Sequence, residues 1–492
     1  MMDARWQRRL PRCPSLGGWV LCAAAVSGCA VGPDFARPEA PQVTGYTATA
    51  LPAQTVASPV ALGGAQRFVG GEIEAKWWQA FGSPRLNALV EQALQSSPTL
   101  EAAGATLRQA GQTYEARAGS TLYPQANARL GAQRQATNGA AMGLPGGERT
   151  FELYNASVAV SYDLDLAGGN RRALEALAAQ VDYQRFQFEG ARLALAGNVV
   201  TAAITQAQLA AQIEASEKIL ADQQEQLRIT GQRLALGNAS PGELHALQTQ
   251  VEQTRAGIPP LRNRLEQTNH LLAVLASQPP GGGAMPQFAL ADFSLPAELP
   301  LRVPSELVRL RPDIQASEAL LHAAAAQHGV AVSRLYPQIT LSANLGSQAL
   351  TSAGLFGGES LVWGLAGQLA QPLFNGGLRA EARAAEAGFN AAAANYRQTV
   401  LQALRNVADV LRALDNDAQA LSAQAAAVSS SRAALQLSRQ QYALGAASYP
   451  QVLIAQQQAR QIQIGLIAVQ AQRLVDSAVL YQAMGAGAAA VR

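Results

Sequence analysis

The chain has 492 residues, a formal net charge of +3, and only 14% charged and 5% aromatic residues, with long tracts of Ala, Gln and Leu. So few aromatics and sheet formers argue against an ordinary catalytic α/β core and suit extended helix packing. The basic excess does not point to nucleic acid: residues 1–28 hold four of the 37 basic and one of the 34 acidic residues, leaving 33 of each.

The first element is a targeting segment. Arg5, Arg8, Arg9 and Arg12 form a basic stretch, Leu16 to Val26 is an apolar run too short to span a bilayer as a helix, and Ser27 and Gly28 precede Cys29. Cys13 and Cys22 fall inside this removable segment (1–28), so Cys29 is left as the only cysteine and has no disulfide partner. Val26-Ser27-Gly28-Cys29 resembles a bacterial lipobox, which implies a lipid on Cys29; the alternative is an ordinary signal peptide with a chance cysteine. Each buried methylene of an acyl chain contributes about 0.8 kcal/mol, so several chains on one residue anchor firmly. Ala30 rather than Asp after the cysteine implies sorting to the outer membrane.

A Pro-containing lead (29–96) follows, and then a duplication. Ser97-Pro98-Thr99-Leu100 answers Arg311-Pro312-Asp313-Ile314, Leu122-Tyr123-Pro124-Gln125 answers Leu335-Tyr336-Pro337-Gln338, and Ala167-Gly168-Gly169-Asn170-Arg171 answers Asn375-Gly376-Gly377-Leu378-Arg379. The repeats span 97–278 and 311–485, with a Pro/Gly-rich linker at 279–310 and a tail at 486–492. Each reads as helix, hairpin, very long helix, turn, helix.

Strands are expected at about 124–135 and 151–166, and at about 337–346 and 360–374. Tyr154, Ala156, Val158, Val160, Tyr162, Leu164 and Leu166 alternate with Asn155, Ser157, Ala159, Ser161, Asp163 and Asp165, giving one apolar and one polar face. Leu361, Trp363, Leu365 and Leu369 continue the apolar set in the second repeat. Four strands alternating in this way fit a membrane barrel, but closed barrels need at least about eight strands, and open edges in lipid cost several kcal/mol per unpaired group. Several chains would have to close the sheet together. Two soluble hairpins packed on helices are the alternative.

Long helices are expected at about 170–235 and 241–277, then 378–443 and 449–484. A run of roughly 65 residues makes a helix about 100 Å long, which implies coiled-coil support. Ile213, Leu220, Leu227 and Leu234 recur every seven residues, and Val407, Leu411, Leu414, Ala418, Leu421, Ala425 and Val428 alternate steps of four and three. Nine of the 17 residues from Ala380 to Tyr396 are Ala, which permits close helix approach and a wall without a filled centre. Between the helices of each pair lie near-identical turns, Ala235-Leu236-Gly237-Asn238-Ala239-Ser240 and Ala443-Leu444-Gly445-Ala446-Ala447-Ser448. Gly allows the positive φ of a helix C-terminus and Ser caps the next helix.

Nothing in the chain reads as an enzyme. His245, His270, His322 and His328 are scattered without Cys partners or a metal-ligand motif, Gly281-Gly282-Gly283 lacks a following Lys-Ser or Lys-Thr, and no catalytic, metal or cofactor site is expected.

Taken together, the lipobox at Cys29 with Val31-Gly32-Pro33-Asp34-Phe35, the early Lys76-Trp77-Trp78-Gln79-Ala80-Phe81, and the duplicated order resemble the TolC-like outer-membrane factor family, specifically the lipoprotein channels of resistance-nodulation-division efflux pumps. The resemblance implies a mainly α fold with a transmembrane β part. Three chains would form a twelve-stranded outer-membrane barrel, four strands from each, continued by a periplasmic α-helical barrel. It implies a passive export duct with a periplasmic adaptor, an inner-membrane pump and outer-membrane lipid as partners, and no nucleic acid. A type I secretion exit duct and a lipid-anchored coiled-coil scaffold without a pore are the alternatives. By the same resemblance Leu236, Gly237, Ser240, Leu444, Gly445 and Ser448 are adaptor-contacting tips. The family's acidic constriction positions fall on Gln451 and Ile454, so a gate here would rest on apolar packing and hydrogen bonds.

Overall fold

The computed structural model describes residues 30–487 apart from 44, 72, 139–147 and 284. Cys29 and the targeting segment lie outside the described residues. In the first repeat α1 (Pro84–Ser96) and α2 (Pro98–Thr121) lead into strands β2 (Gln125–Asn138) and β3 (Glu148–Leu164), then α3 (Gly169–Ala235) and α4 (Pro241–Leu275). The second has α5 (Pro304–Leu310), α6 (Pro312–Ser333), β5 (Gln338–Ala349), β6 (Leu361–Ala370), α7 (Gly376–Ala443) and α8 (Tyr449–Ala483). Short strands β1 (Arg67–Val69) and β4 (Glu298–Pro300), from the lead and the linker, pair in parallel.

The chain forms two compact units that cut across the repeats. Among the described residues one holds 30–36, 110–181 and 320–393; the other holds 37–109, 182–319 and 394–487.

The first unit is built on a four-stranded antiparallel sheet in the order β2-β3-β5-β6. The two hairpins join through β3 and β5, from Tyr154 opposite Ala349 to Leu164 opposite Ile339. Residues directly opposite share a face, so Ala128, Val158, Leu345 and Trp363 form one apolar row across all four strands. Leu130, Val158, Leu341, Leu345, Leu361, Trp363, Leu365 and Leu369 are exposed on the sheet. On the polar face Thr340 donates its hydroxyl to Asp163 at 2.7 Å. Gly131 and Gly364 leave room there for Asn155 and Asn344, whose side-chain oxygens lie 2.3 and 2.6 Å from where a Cβ would stand. The outer edges of β2 and β6 have no partner strand among the described residues.

Two strand ends differ from the sequence expectation. β3 stops at Leu164, and Asp165 accepts from the backbone N–H groups of Asn170 and Arg171 at 3.0 and 2.9 Å. It therefore satisfies the open N-terminus of α3 instead of lining the polar sheet face, because a carboxylate there meets both unpaired donors and the positive helix end. β6 stops at Ala370 because Pro372 has no N–H to continue a ladder.

The core of the second unit gathers the lead, linker and long helices. Trp77, Trp78 and Phe81 sit on a single 3₁₀ turn and are all buried, with Trp77 stacked on Tyr481 of α8 at 5.3 Å between ring centres. Leu272, Leu299, Leu307, Leu411, Leu414 and Leu474 pack into the same cluster. On α7 the expected stripe is buried: Val407, Leu411, Leu414, Ala418, Leu421 and Val428 all face inward. On α3 Ile213 of the expected set is buried, but beyond it the buried seam differs. Leu220, Leu227 and Leu234 are only half-buried, while Ser216, Gln223 and Thr230, also seven residues apart, are buried. Ser216 returns its hydroxyl to Gln212 O at 2.7 Å, which removes most of the cost of burying it. An apolar window in α3 is long enough to cross a membrane by length and composition, yet 56% of it is buried within the chain, so helix packing accounts for its hydropathy.

The duplication reaches the last turn of each helix pair. Gly485 (φ 66°) follows α8 and accepts the positive φ without cost, whereas the corresponding residue after α4 is Ser277, also at positive φ (62°) and with a buried, unpartnered hydroxyl. Ser277→Gly is therefore expected to stabilise the fold by about 1 kcal/mol, since a side chain in the left-handed region costs roughly 1–2 kcal/mol. A urea-unfolding comparison measures it, and an unchanged or lower midpoint counts against the strain.

Candidate functional site

The two turns between the long helices have matching hydrogen bonds. After α3, Gly237 N–H donates to Leu234 O (2.9 Å) and Asn238 N–H to Arg233 O (2.7 Å); after α7, Gly445 N–H donates to Tyr442 O (3.0 Å) and Ala446 N–H to Gln441 O (2.8 Å). Each is a Schellman stop with glycine in the left-handed region, φ 74° in both. The entry to the next helix is solved differently in the two halves. Ser240 Oγ accepts from Glu243 N–H at 3.2 Å, while in the second turn the Gln451 side chain accepts from Ser448 N–H at 3.0 Å. Gln451, expected at a constriction, thus caps its own helix.

The apolar residue of each turn points into solvent. Leu236 is 76% and Leu444 is 84% exposed, and no atom lies within 4 Å of a Cβ built on Gly237 or Gly445. Ile454 is also exposed, at 57%.

Beneath the turns is a tie absent from the sequence reading. Arg233 Nη1 donates to the Tyr442 hydroxyl at 3.0 Å, its guanidinium lies 5.4 Å from the Tyr442 ring centre, and its Nη2 donates to Asn238 O at 3.0 Å. The Tyr442 ring leans on Tyr449, 5.2 Å away between centres, and burial pushes the Tyr449 hydroxyl up to about 12. Tyr449 in turn packs with Leu247 and Val452. Residues of α3, α4, α7 and α8 are thereby locked together just behind both turns. Only the chain-remote pairing of Arg233 with Tyr442 marks this tie, so no local sequence signal announces it.

In the first unit the lead residues after Cys29 are clasped. Val31 N–H donates to Ala167 O at 3.0 Å, and Gly32 sits so close to Gly329 that a Cβ would lie 2.6 Å from its Cα. Arg172, buried, donates to the Asp34 carboxylate and, at 2.8 Å, to Glu175. His322 Nε2 bonds Glu175 at 2.8 Å and its ring stacks on Phe35 at 4.3 Å. Burial alone would raise the Glu175 carboxyl, but its bonds to Arg172 and His322 outweigh it and hold the group below the usual range. His322 is thus a packed partner of the lead, and the described residues contain no cluster able to hold a metal. Arg172→Ala is expected to loosen residues 30–36 by about 1 kcal/mol, because the Asp34 carboxylate that it holds is exposed and screened by water. Limited proteolysis would show faster cleavage of that segment with little change in global unfolding, and unchanged cleavage would refute the clasp.

The family model described as outer membrane efflux protein matches residues 89–277 and 303–486. The chain is 32% identical over 419 residues to the pyoverdine export outer membrane protein OpmQ of Pseudomonas putida, covering 84% of this chain and 88% of that one. It is 29% identical over 480 residues to the toluene efflux pump outer membrane protein TtgC of Pseudomonas putida, covering 96% of each. The solved structure of the outer-membrane channel OprN superposes with a TM-score of 0.84 at 25% identity, covering 93% of this chain and 99% of that one.

Proposed function

The chain belongs to the outer membrane efflux protein family, and from that membership we propose that it works as a homotrimeric exit duct of a tripartite efflux system, receiving substrate from a periplasmic adaptor and an inner-membrane pump. The protein is an outer-membrane efflux channel. The observation that carries the finer reading is the four-stranded sheet with an exposed apolar face and two edges that have no partner among the described residues. In lipid both edges must be paired, and pairing β6 of one copy with β2 of the next closes three copies into a twelve-stranded barrel. The Ala-rich start of α7, largely exposed in the single chain, supports close approach of neighbouring copies at the same time.

On this reading Cys29 carries the lipid, and the clasp at Arg172 sets where the anchor leaves the folded chain. Leu236, Gly237 and Ser240, with Leu444, Gly445 and Ser448, form six tips around the trimer that meet the adaptor. Gln451 and Ile454 lie just beyond the second tip, where the tunnel narrows without a ring of carboxylates. Transport needs no catalytic residue, because the energy comes from the pump.

Purified protein should run as a trimer in detergent and conduct in a planar bilayer once the tip region is loosened, for instance by Tyr442→Ala, which removes the tie between α3 and α7. A monomer, or a bilayer that stays silent with both the native and loosened proteins, would overturn the trimeric twelve-stranded duct.

A further inference from the structure

Between α3, α7 and α8 lies a groove of about 380 Å³ with an unusual charge balance. Lys218 comes from α3, Arg432 and Arg439 from α7, and Arg460 from α8, against the one acidic lining residue, Asp222. No carboxylate pairs with any of the four cations among the described residues. Arg432 donates to the neutral Gln463 amide at 2.6 Å and Arg460 to the Thr254 hydroxyl, which leaves their charges uncompensated. Elsewhere on these helices arginines are answered locally, as Arg228 is by Glu225 and Arg255 by Glu252.

Gln223 lines the groove, is only 4% exposed, and its Oε1 makes no hydrogen bond; Gln456 beside it also has a buried, unpartnered Oε1. An unpartnered Oε1 is an acceptor that an anion does not satisfy, so these amides add nothing to the donor charge of the lining. Four cations against one carboxylate in one cavity of ligand size make a lining dominated by charged donors.

We propose that this groove binds a compact multivalent oxyanion, a di- or tricarboxylate or a phosphate compound, bridging α3, α7 and α8. An oxyanion supplies the negative charge that the lining lacks and cancels the mutual repulsion of the cations. Because α3 and α7 both end in the exposed turns, a bound anion also draws together the helices that carry them. All of these side chains belong to one chain, so the site stands whether or not the trimeric duct is correct.

The test uses the full chain in detergent. Isothermal titration with citrate and, separately, pyrophosphate, each against NaCl at matched ionic strength, should give saturable binding of one ion per chain. Citrate alone would identify a carboxylate site, pyrophosphate alone a phosphate site, and binding of both would mean that charge and size suffice. Lys218→Gln with Arg439→Gln should weaken binding by about tenfold or more, as expected when two charge-assisted contacts are lost. Neither residue has a partner to orphan, so folding should survive, and the single Lys218→Gln variant gives a milder check. No heat beyond the NaCl control, or equal affinity in the double variant, would overturn the site.

Discussion

Replacing Gly237 and Gly445 together by Asn is expected to cut export by about tenfold or more, equivalent to losing about 1.4 kcal/mol of docking free energy, while the thermal midpoint stays within about 2 °C. Asn is chosen because both glycines sit at φ 74°. A β-branched or bulky residue there would be strained, so lost export would not separate a broken turn from a blocked contact. Asn tolerates the left-handed region and keeps the Schellman bonds. The added side chain meets nothing within the chain, since the space around each Cβ is open. Its only consequence is to thicken the tip beside Leu236 and Leu444. Drug or metabolite efflux in cells, alongside co-purification of the adaptor, measures the effect; full export by a folded double variant would remove the tips from the docking surface.

Asp476→Asn is expected to stabilise the protein at pH 8 by on the order of 3 kcal/mol and to flatten its stability between about pH 4 and 7. Asp476 on α8 is buried, accepts from Gln472 at 3.0 Å, and faces Asp417 of α7 within hydrogen-bonding reach. Both Asp476 Oδ2 and Asp417 Oδ2 are buried without a donor. Burial first, then the bond to Asp417 and its negative charge, push the Asp476 carboxyl up to about 7. In the unfolded chain an aspartate titrates near ~3.9. Below about pH 4 both states hold the proton and nothing changes with pH. Between about 4 and 7 the unfolded chain releases the proton that the folded chain keeps, so stability falls as pH rises, and above about 7 it levels off. Asn keeps the shape and offers Asp417 a permanent N–H donor. Unfolding midpoints from pH 4.5 to 8 decide it, and parallel curves for the two proteins would contradict the raised carboxyl.

Arg473, one turn before Asp476, shows how far the core lies from local signals. It is fully buried and donates to Leu62 O at 2.8 Å and Gly64 O at 3.0 Å, with Gln66 Oε1 at 3.2 Å. The carbonyls of the lead answer a guanidinium about 410 residues away in the chain, which no motif at either end reveals.

What the sequence determined by itself is the local geometry: the duplicated order, the hairpins, the four long helices, the α7 stripe, and the paired turns at Gly237 and Gly445. These follow from period two, heptad spacing and the backbone needs of Gly, Pro and Ser, all of which act over a few residues. The tertiary structure alone decided that β3 pairs with β5, that Asp165 caps a helix, and that the α3 seam is Ser216, Gln223 and Thr230 instead of the leucines. It also decided the clasp of Asp34 and Phe35 on Arg172 and His322, and the tie from Arg233 to Tyr442. The strand pairing, the clasp and the tie join residues distant in the chain, whereas the Asp165 cap and the α3 seam depend on how the backbone and the neighbouring helices meet. The partners of these contacts come together only once the chain has folded.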